Sequence, residues 1–480
     1  MFFIGILFQS HLHSVERNEN RPFHHSMVTI FYQRMFQSKS LFAGGIHPTD
    51  GFDKALTGGK NIIKYIPNTV RISLKQGLGP ACKPVVHAGD CVMEGQLIGE
   101  AGHFLSAHVH ASVTGTVTAV DETACEIAVE DCRLPDTDCV YYKEFVEISY
   151  SKEELVRLLS EGGLVGMGGA GFPTAVKYAT KEKISHLLIN GAECEPFLTC
   201  DEHLILEQGM AILNGARALK KACDAQKVII CMEDNKVHCK EALDKLLAGH
   251  GREVEIRLLP TKYPQGSEKQ LIQAVMGVEI PAGKLPAEVG AMVSNIQTAK
   301  AAADMIFGGF PSTSRVITIT GDVAHPGNYL APIGTDIGEL VALAGDVKSK
   351  DNKVILGGPM TGRLLGFCLD AAKMQAEKMA VVSKVSGGLV VLDGNKPEVS
   401  NCIKCGRCLQ VCPAGIKPVM IEKHYLLGNL IACKALYATE CIACGSCSYI
   451  CPARRELAFH VVSAREAVRA KIREEAAQHA

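Results

Sequence analysis

The sequence predicts a multidomain chain that combines a β module with α/β units and ends in a helical, cysteine-rich domain. Three observations carry that reading. Residues 60–148 hold short valine and isoleucine runs broken by Gly-Asp, Gly-Gln and Thr-Gly-Thr turns. From residue 151 strands alternate with helices, the pattern of an α/β layer sheet. Near the end the spelling C-x-x-C-x-x-C-x-x-x-C-P occurs twice, at Cys402, Cys405, Cys408 and Cys412, and at Cys441, Cys444, Cys447 and Cys451. A length of 480 residues leaves room for roughly three or four domains. The hydrophobic content of 47% supplies several cores, and a net charge of −1 argues against a nucleic-acid binder.

Residues 1–40 read as an irregular extension rich in His and Gln. The apolar run Met1–Phe8 has no basic residue before it and no clear cleavage site after it, so it is not read as a signal peptide. No apolar stretch approaches the about 18 residues that span a bilayer.

Residues 41–148 form the β module. Val85 to Gly99 alternates strand and turn signals, and Val109 to Val117 continues them. The pattern resembles the barrel-sandwich hybrid of lipoyl and biotinyl domains. Those carry a lysine at a hairpin tip, and Gly102 to His110 has none. A packing or docking module is expected instead of a cofactor carrier. His103, His108 and His110 read as surface polar residues, with metal binding as the alternative.

Residues 149–312 form the α/β domain. Ser151-x-x-Glu154 is a capping box opening a helix. A glycine-rich loop runs from Gly162 to Gly171, and Pro173 suits a first helical turn. Strands are expected at 186–189, 227–232 and 254–259, and helices from Thr199 to about Lys221, over 237–247 and after Ser267. Residues 313–397 read as a small α+β unit, with a strand over 315–321 and a helix over 337–344. Residues 398–460 carry the cysteines. The 28 residues between Cys412 and Cys441 include two helical stretches, 420–427 and 430–438, so helices are expected around the metal sites. Residues 461–480 read as a charged helix, a solvated edge or a partner contact.

The cysteine spelling is the bacterial ferredoxin run, and two copies imply two 4Fe–4S cubes. The short gaps bend the chain so that three sulfurs face one cube, and the fourth reaches the other. The expected sets are Cys402, Cys405, Cys408 and Cys451, then Cys441, Cys444, Cys447 and Cys412. Structural zinc is disfavoured, since it usually takes two C-x-x-C pairs. Eight of the 20 cysteines form the runs and twelve are scattered, which fits a reducing compartment. The chain handles single electrons.

Three polar loops precede helices in the middle domain. Gly166-Met167-Gly168-Gly169-Ala170-Gly171 spells G-x-G-x-x-G, but a helix precedes it, so a Rossmann assignment fails. A glycine-rich turn feeding a helix still exposes N–H groups to phosphate, and Lys177 lies one turn on. Asn190 to Pro196 follows a strand, where ligands bind in α/β sheets. Tyr263 to Glu268 opens a further helix. Ordinary turn chemistry is the alternative for each loop taken alone.

Together these motifs are similar to the RnfC family of the Rnf electron transport complexes. The resemblance rests on residues 166–174, 190–196 and 262–270, and runs from about Gly44 through Pro452. It implies a β-grasp, SLBB-like unit around Gly321-Asp322-Val323. The middle domain is also similar to the NADH-binding flavoprotein of respiratory complex I. That likeness implies FMN and NAD(H) as cofactors. It assigns Gly166, Gly168 and Lys177 to the flavin loop, and Asn190, Glu193 and Glu195 to the next. It adds Gly266, Glu268 and Asn295 beside the flavin, and Phe172 stacking on the nicotinamide nucleotide. Glu195 is expected to orient the nucleotide or to hold structure by hydrogen bonding. Met167, Ala192 and Ser294 depart from an arginine, an aspartate and an asparagine.

The resemblance implies a peripheral subunit on the cytoplasmic face of a cell membrane. It would pass electrons between NAD(H), FMN and two 4Fe–4S clusters within an ion-translocating ferredoxin:NAD oxidoreductase. Membrane and cluster-bearing subunits are the implied partners, and ferredoxin is reached indirectly. The competing readings are a soluble flavin and iron–sulfur reductase, such as a cobalamin reductase, and a non-catalytic electron conduit.

Overall fold

The computed structural model describes residues 42–48, 54–132, 138–169, 171–250, 253–395 and 398–478. The expected extension over 1–40 lies outside them.

The β module is two small antiparallel sheets. One orders Thr69–Ser73, Ala124–Asp131, Thr114–Val120 and Cys91–Val92; the other orders Lys83–Pro84, Leu97–Glu100 and Val109–His110. Alternation decides the inward set. Val70 and Ile72 are buried while their neighbours are not, and they pack with Ile98, Val109, Val117 and Ile127.

The α/β domain is built on a four-stranded parallel sheet. Its order is Val254–Leu259, Lys227–Glu233, His186–Gly191 and Ala291–Asn295. Both faces are covered, as parallel sheets require. Leu187, Ile189, Val228 and Ile230 face the helices Cys200–Ala222 and Ile296–Gly308. Leu188, Ile229 and Cys231 face the helix Glu268–Met276. The helix Lys152–Glu161 begins at the expected capping box, with Ser151 and Glu154 each bonded to the other's backbone.

A six-stranded mixed sheet follows, ordered Ile63–Lys64, Gly327–Pro332, Ser314–Gly321, Gly388–Asp393, Asn352–Leu356 and Arg363–Phe367. The helices Ile337–Leu343 and Ala371–Ala376 cover one face through Ile337, Leu340 and Met374. The edge strand Ile63–Lys64 comes from the segment that the sequence places in the β module, so the sheet is completed by distant sequence.

The cysteine domain is helical. Pro418–Leu426 and Leu430–Ala435 form the link between the runs, and Leu457–Gln478 packs across them. That last helix runs unbroken through residue 460, where the sequence suggests a boundary. Val461, Ala464 and Val468 bury one face against Ile421 and Cys433. An apolar stripe thus docks a helix whose charges suggest a solvated tail. No helix among the described residues is long and apolar enough to cross a membrane.

Candidate functional site: a cavity beside the cysteine runs

The three polar loops, the mixed sheet and the second cysteine run line one cavity of about 560 Å³. Its wall includes Gly168, Gly169, Asn190, Glu193, Glu195, Gly266 and Asn295. It also includes Tyr263, Arg315, the stretch from Leu356 to Arg363, and Cys444. The carboxyl ends of parallel strands open here, which is where an α/β sheet presents ligand sites.

Local bonding explains how each loop is held. The glycine-rich loop folds back on itself, with the Gly166 N–H donating to the Phe172 carbonyl at 2.9 Å. The Met167 N–H donates to Thr298 Oγ1 at 3.0 Å. A Cβ at Gly169 would meet nothing within 4 Å, so this face of the loop is open to a ligand. Asn190 Nδ2 donates to the Gly266 carbonyl at 2.7 Å and ties the second loop to the third. Asn295 Nδ2 donates to Asp201 Oδ2 at 2.8 Å.

Glu193 Oε1 accepts from the Asp201 N–H at 3.1 Å, while Oε2 is buried without a hydrogen bond. Burial, with Glu193 nearby, pushes the Asp201 carboxyl up to about 6. Glu195 is differently engaged. Its Oε1 accepts from the Met360 N–H at 3.0 Å, the Thr361 N–H at 2.9 Å and Thr361 Oγ1 at 3.1 Å. Burial raises its pKa, and these three donors oppose the shift. These bonds tie the Glu195 carboxylate to the 357–362 loop.

Other expected site residues lie off the cavity wall. Lys177 Nζ pairs with Glu268 Oε1 at 2.8 Å. Phe172 is half-buried behind the loop and contributes its backbone. Ser294 faces away from Asn295, as strand alternation requires, and its hydroxyl meets the buried Tyr178 hydroxyl at 2.8 Å. Met167 and Ala192 do line the cavity.

Sequence reasoning missed four contributors. Asp201 sits one residue into a helix whose start the sequence does signal. Tyr263 belongs to a recognised motif, but its role comes from packing. It is 3% exposed, and its hydroxyl donates to the Cys444 carbonyl at 2.7 Å. Arg315 reads in the sequence only as a strand start. It is buried, donating to the Met167 carbonyl at 2.7 Å and to the Lys384 carbonyl. The loop over 357–362 carries no signal beyond turn residues.

The cysteine runs adopt one geometry twice. Gly406 and Gly445 have φ of 74° and 76°, and each caps a four-residue helix carrying the third cysteine. The Lys404 N–H donates to Cys402 Sγ, and the Ala443 N–H donates to Cys441 Sγ, both at 3.4 Å. Cys412 lines one depression with Cys441, Cys444 and Cys447. Cys451 and Cys402 stand near Cys408. The fourth cysteine of each run therefore stands with the other run. Thiol quartets with backbone N–H···S bonds suit the donor set of a 4Fe–4S cube.

The open glycine loop, the unpartnered Glu193 oxygen and the adjoining thiol quartet define a class: a modular redox protein with a nucleotide-type cavity beside cluster sites. Comparison with known proteins gives the particular family. Residues 159–304 match the Nuo51 FMN-binding domain, residues 40–133 the RnfC barrel sandwich hybrid domain, and residues 316–364 the SLBB domain. The C subunit of the proton-translocating ferredoxin:NAD(+) oxidoreductase complex of Clostridium ljungdahlii is 37% identical, over 79% of this chain and 83% of that protein. The C subunit of the Na(+)-translocating ferredoxin:NAD(+) oxidoreductase complex of Acetobacterium woodii is 36% identical, over 80% and 87%. The C subunit of the ion-translocating oxidoreductase complex of Rhodobacter capsulatus is 34% identical, over 84% and 78%. The chain belongs to the RnfC family of these ion-translocating complexes.

Proposed function

We propose that this chain carries electrons between NAD(H) and a cluster-bearing partner of an Rnf-type complex, through FMN in the cavity and two 4Fe–4S clusters. One observation supports the order. Cys444 lines the same wall as the three polar loops, so the cluster of Cys412, Cys441, Cys444 and Cys447 is the near one. Cys402 and Cys405 are exposed, which suits the cluster of Cys402, Cys405, Cys408 and Cys451 to hand electrons outward. FMN, when bound, accepts two electrons as hydride and releases them singly, which is what cubes need.

The chain's own residues position and insulate. Gly168 and the open face at Gly169 receive the flavin, and Gly166, off the cavity wall, braces the loop through its bond to the Phe172 carbonyl. Asn190, Gly266 and Asn295 fix the loops around it, and Glu193 lines the wall with one carboxylate oxygen bonded to the Asp201 N–H and the other buried. Lys177 and Glu268 form a salt bridge behind the first loop. Phe172 sets the loop's turn. Tyr263 bridges cavity and near cluster through its bond to Cys444. Hydride transfer itself needs no general acid or base. The chain works from the cytoplasmic face as a peripheral subunit, and ion movement belongs to membrane partners.

The test is anaerobic purification with flavin and iron analysis, followed by NADH titration watched by EPR. The expected result is bound FMN and two clusters reduced by NADH. A reconstituted chain that holds no flavin would sink the NADH-entry role. Flavin with NADH oxidation but no association with membrane subunits would favour a soluble reductase.

A further inference from the structure

The SLBB hairpin between Asn352–Leu356 and Arg363–Phe367 ends in the sequence Gly357-Gly358-Pro359-Met360-Thr361-Gly362. This loop enters the cavity beside the polar loops of another domain. Three hydrogen bonds fix it there: Glu195 accepts the Met360 and Thr361 N–H groups and the Thr361 hydroxyl. A Cβ at Gly358 would lie 1.9 Å from Glu195 Cγ, so only glycine lets the carboxylate approach. The Met360 carbonyl lies 2.8 Å from where a Gly445 Cβ would stand, so the tip also abuts the near cluster's loop. The loop therefore forms a built wall between Glu195 and the second cysteine run.

Glu193, Glu195 and Asp201 line the cavity together with Arg315 and Arg363, and the Lys54 amine stands close by, donating to the Glu193 and Leu198 carbonyls. Arg315 is engaged by the carbonyls of Met167 and Lys384. Arg363 is exposed at the end of the loop and, among the described residues, has no ion pair. Carboxylates on the wall repel a dinucleotide whose pyrophosphate is anionic, and a cation at the mouth that is free of other partners offsets that repulsion. A guanidinium does this with paired N–H donors in a fixed fork.

We propose that the SLBB loop is the nucleotide-facing wall of this cavity, with Arg363 binding the pyrophosphate of NAD(H) and Glu195 holding the loop in place. The proposal rests on assigning the cavity to flavin and NAD(H). Arg363 contacts the nucleotide, whereas Glu195 is a positioning residue that acts through Met360 and Thr361.

The experiment uses the flavin- and cluster-loaded full chain, prepared anaerobically, with ferricyanide as acceptor. Arg363→Ala and Arg363→Lys are compared with wild type for NADH and for reduced nicotinamide riboside, which lacks phosphate. The expected result for Arg363→Ala is an NADH KM raised about tenfold at low salt, the factor set by about 1.4 kcal/mol. Its FMN content stays at the wild-type level and its riboside KM stays within about twofold. Arg363→Lys recovers part of the loss. Added salt raises the NADH KM of wild type more than that of Arg363→Ala. Glu195→Gln, which weakens the anchor, raises the NADH KM with FMN retained. An NADH KM unchanged in Arg363→Ala, or an equal rise for the riboside, overturns the proposal while leaving the flavin assignment intact. A wild-type chain that holds flavin yet oxidises no NADH overturns both.

Discussion

Replacing Lys384 by methionine tests how the SLBB unit holds the flavin loop. Lys384 is 1% exposed. Its Nζ donates to the Gly163 carbonyl at 2.7 Å and the His108 carbonyl at 2.9 Å. Its own carbonyl accepts from Arg315, which also donates to Met167. One residue C-terminal to the SLBB match thus touches the β module and the start of the glycine-rich loop, and it reaches Met167 through Arg315. Burial pushes the amine down to about 7. An ordinary lysine titrates near ~10.4, so holding the charged form costs about 4–5 kcal/mol. Leaving two buried carbonyls unpaired costs about 1–3 kcal/mol each. At or below pH 7 these terms nearly cancel, and Lys384→Met changes stability by less than about 2 kcal/mol.

The pH dependence separates the terms. The folded pKa is lowered, so between pH 7 and the unfolded value the unfolded chain binds more protons. The lysine's contribution is smallest below the folded pKa. It grows as pH rises, by up to about 1.4 kcal/mol per unit. Two neighbours bear on this. Cys82 favours the ammonium, while His110 is held down to about 3 by burial and by Lys384, so it stays neutral throughout. The assay is anaerobic urea unfolding of the loaded protein at pH 7, 8 and 9. Wild type should gain on Lys384→Met by about 2–3 kcal/mol across that range. A constant difference would refute the argument, because it would mean the amine keeps its charge. Flavin retention should fall in the variant, since Gly163 and Met167 belong to the glycine-rich loop.

Three further outcomes follow from the same geometry. Cys412→Ser should remove the EPR signal of the near cluster and leave that of the cluster holding Cys402; the reverse loss would contradict the crossed ligand sets. Tyr263→Phe deletes a bond of about 0.5–1.5 kcal/mol to the Cys444 carbonyl. It should shift the near cluster's reduction potential with flavin retained, and an unmoved potential would count against a coupling role. Leu427 and Ile431 are 70% and 76% exposed on the link between the cysteine runs. Changing both to glutamate should weaken co-purification with the other subunits at unchanged iron content, and full retention would remove this surface from the interface.

Legibility in the sequence follows the range of the interactions. The helix opened by Ser151 and Glu154 rests on bonds three residues apart, and it is readable. The strands over 227–233 and 254–259 are readable because apolar runs need no knowledge of their neighbours. The cysteine spacing states the expected ligand sets, because three sulfurs of a run face one cube and the fourth reaches the other. Alternation turns Asn295 to the cavity and Ser294 to Tyr178, a difference that adjacency in the sequence does not show. Glu195 meets Met360 across 165 residues, and Lys384 meets His108 across 276. Nothing local in Gly-Gly-Pro-Met-Thr-Gly distinguishes a cavity wall from a hairpin turn. The flavin loop is therefore legible as a ligand loop, whereas the parts that hold it belong to other domains. Breaking a contact that holds the loop, as at Lys384, should accordingly act on flavin affinity, whereas a change on the cavity-facing hairpin, as at Arg363, should act on nucleotide affinity alone.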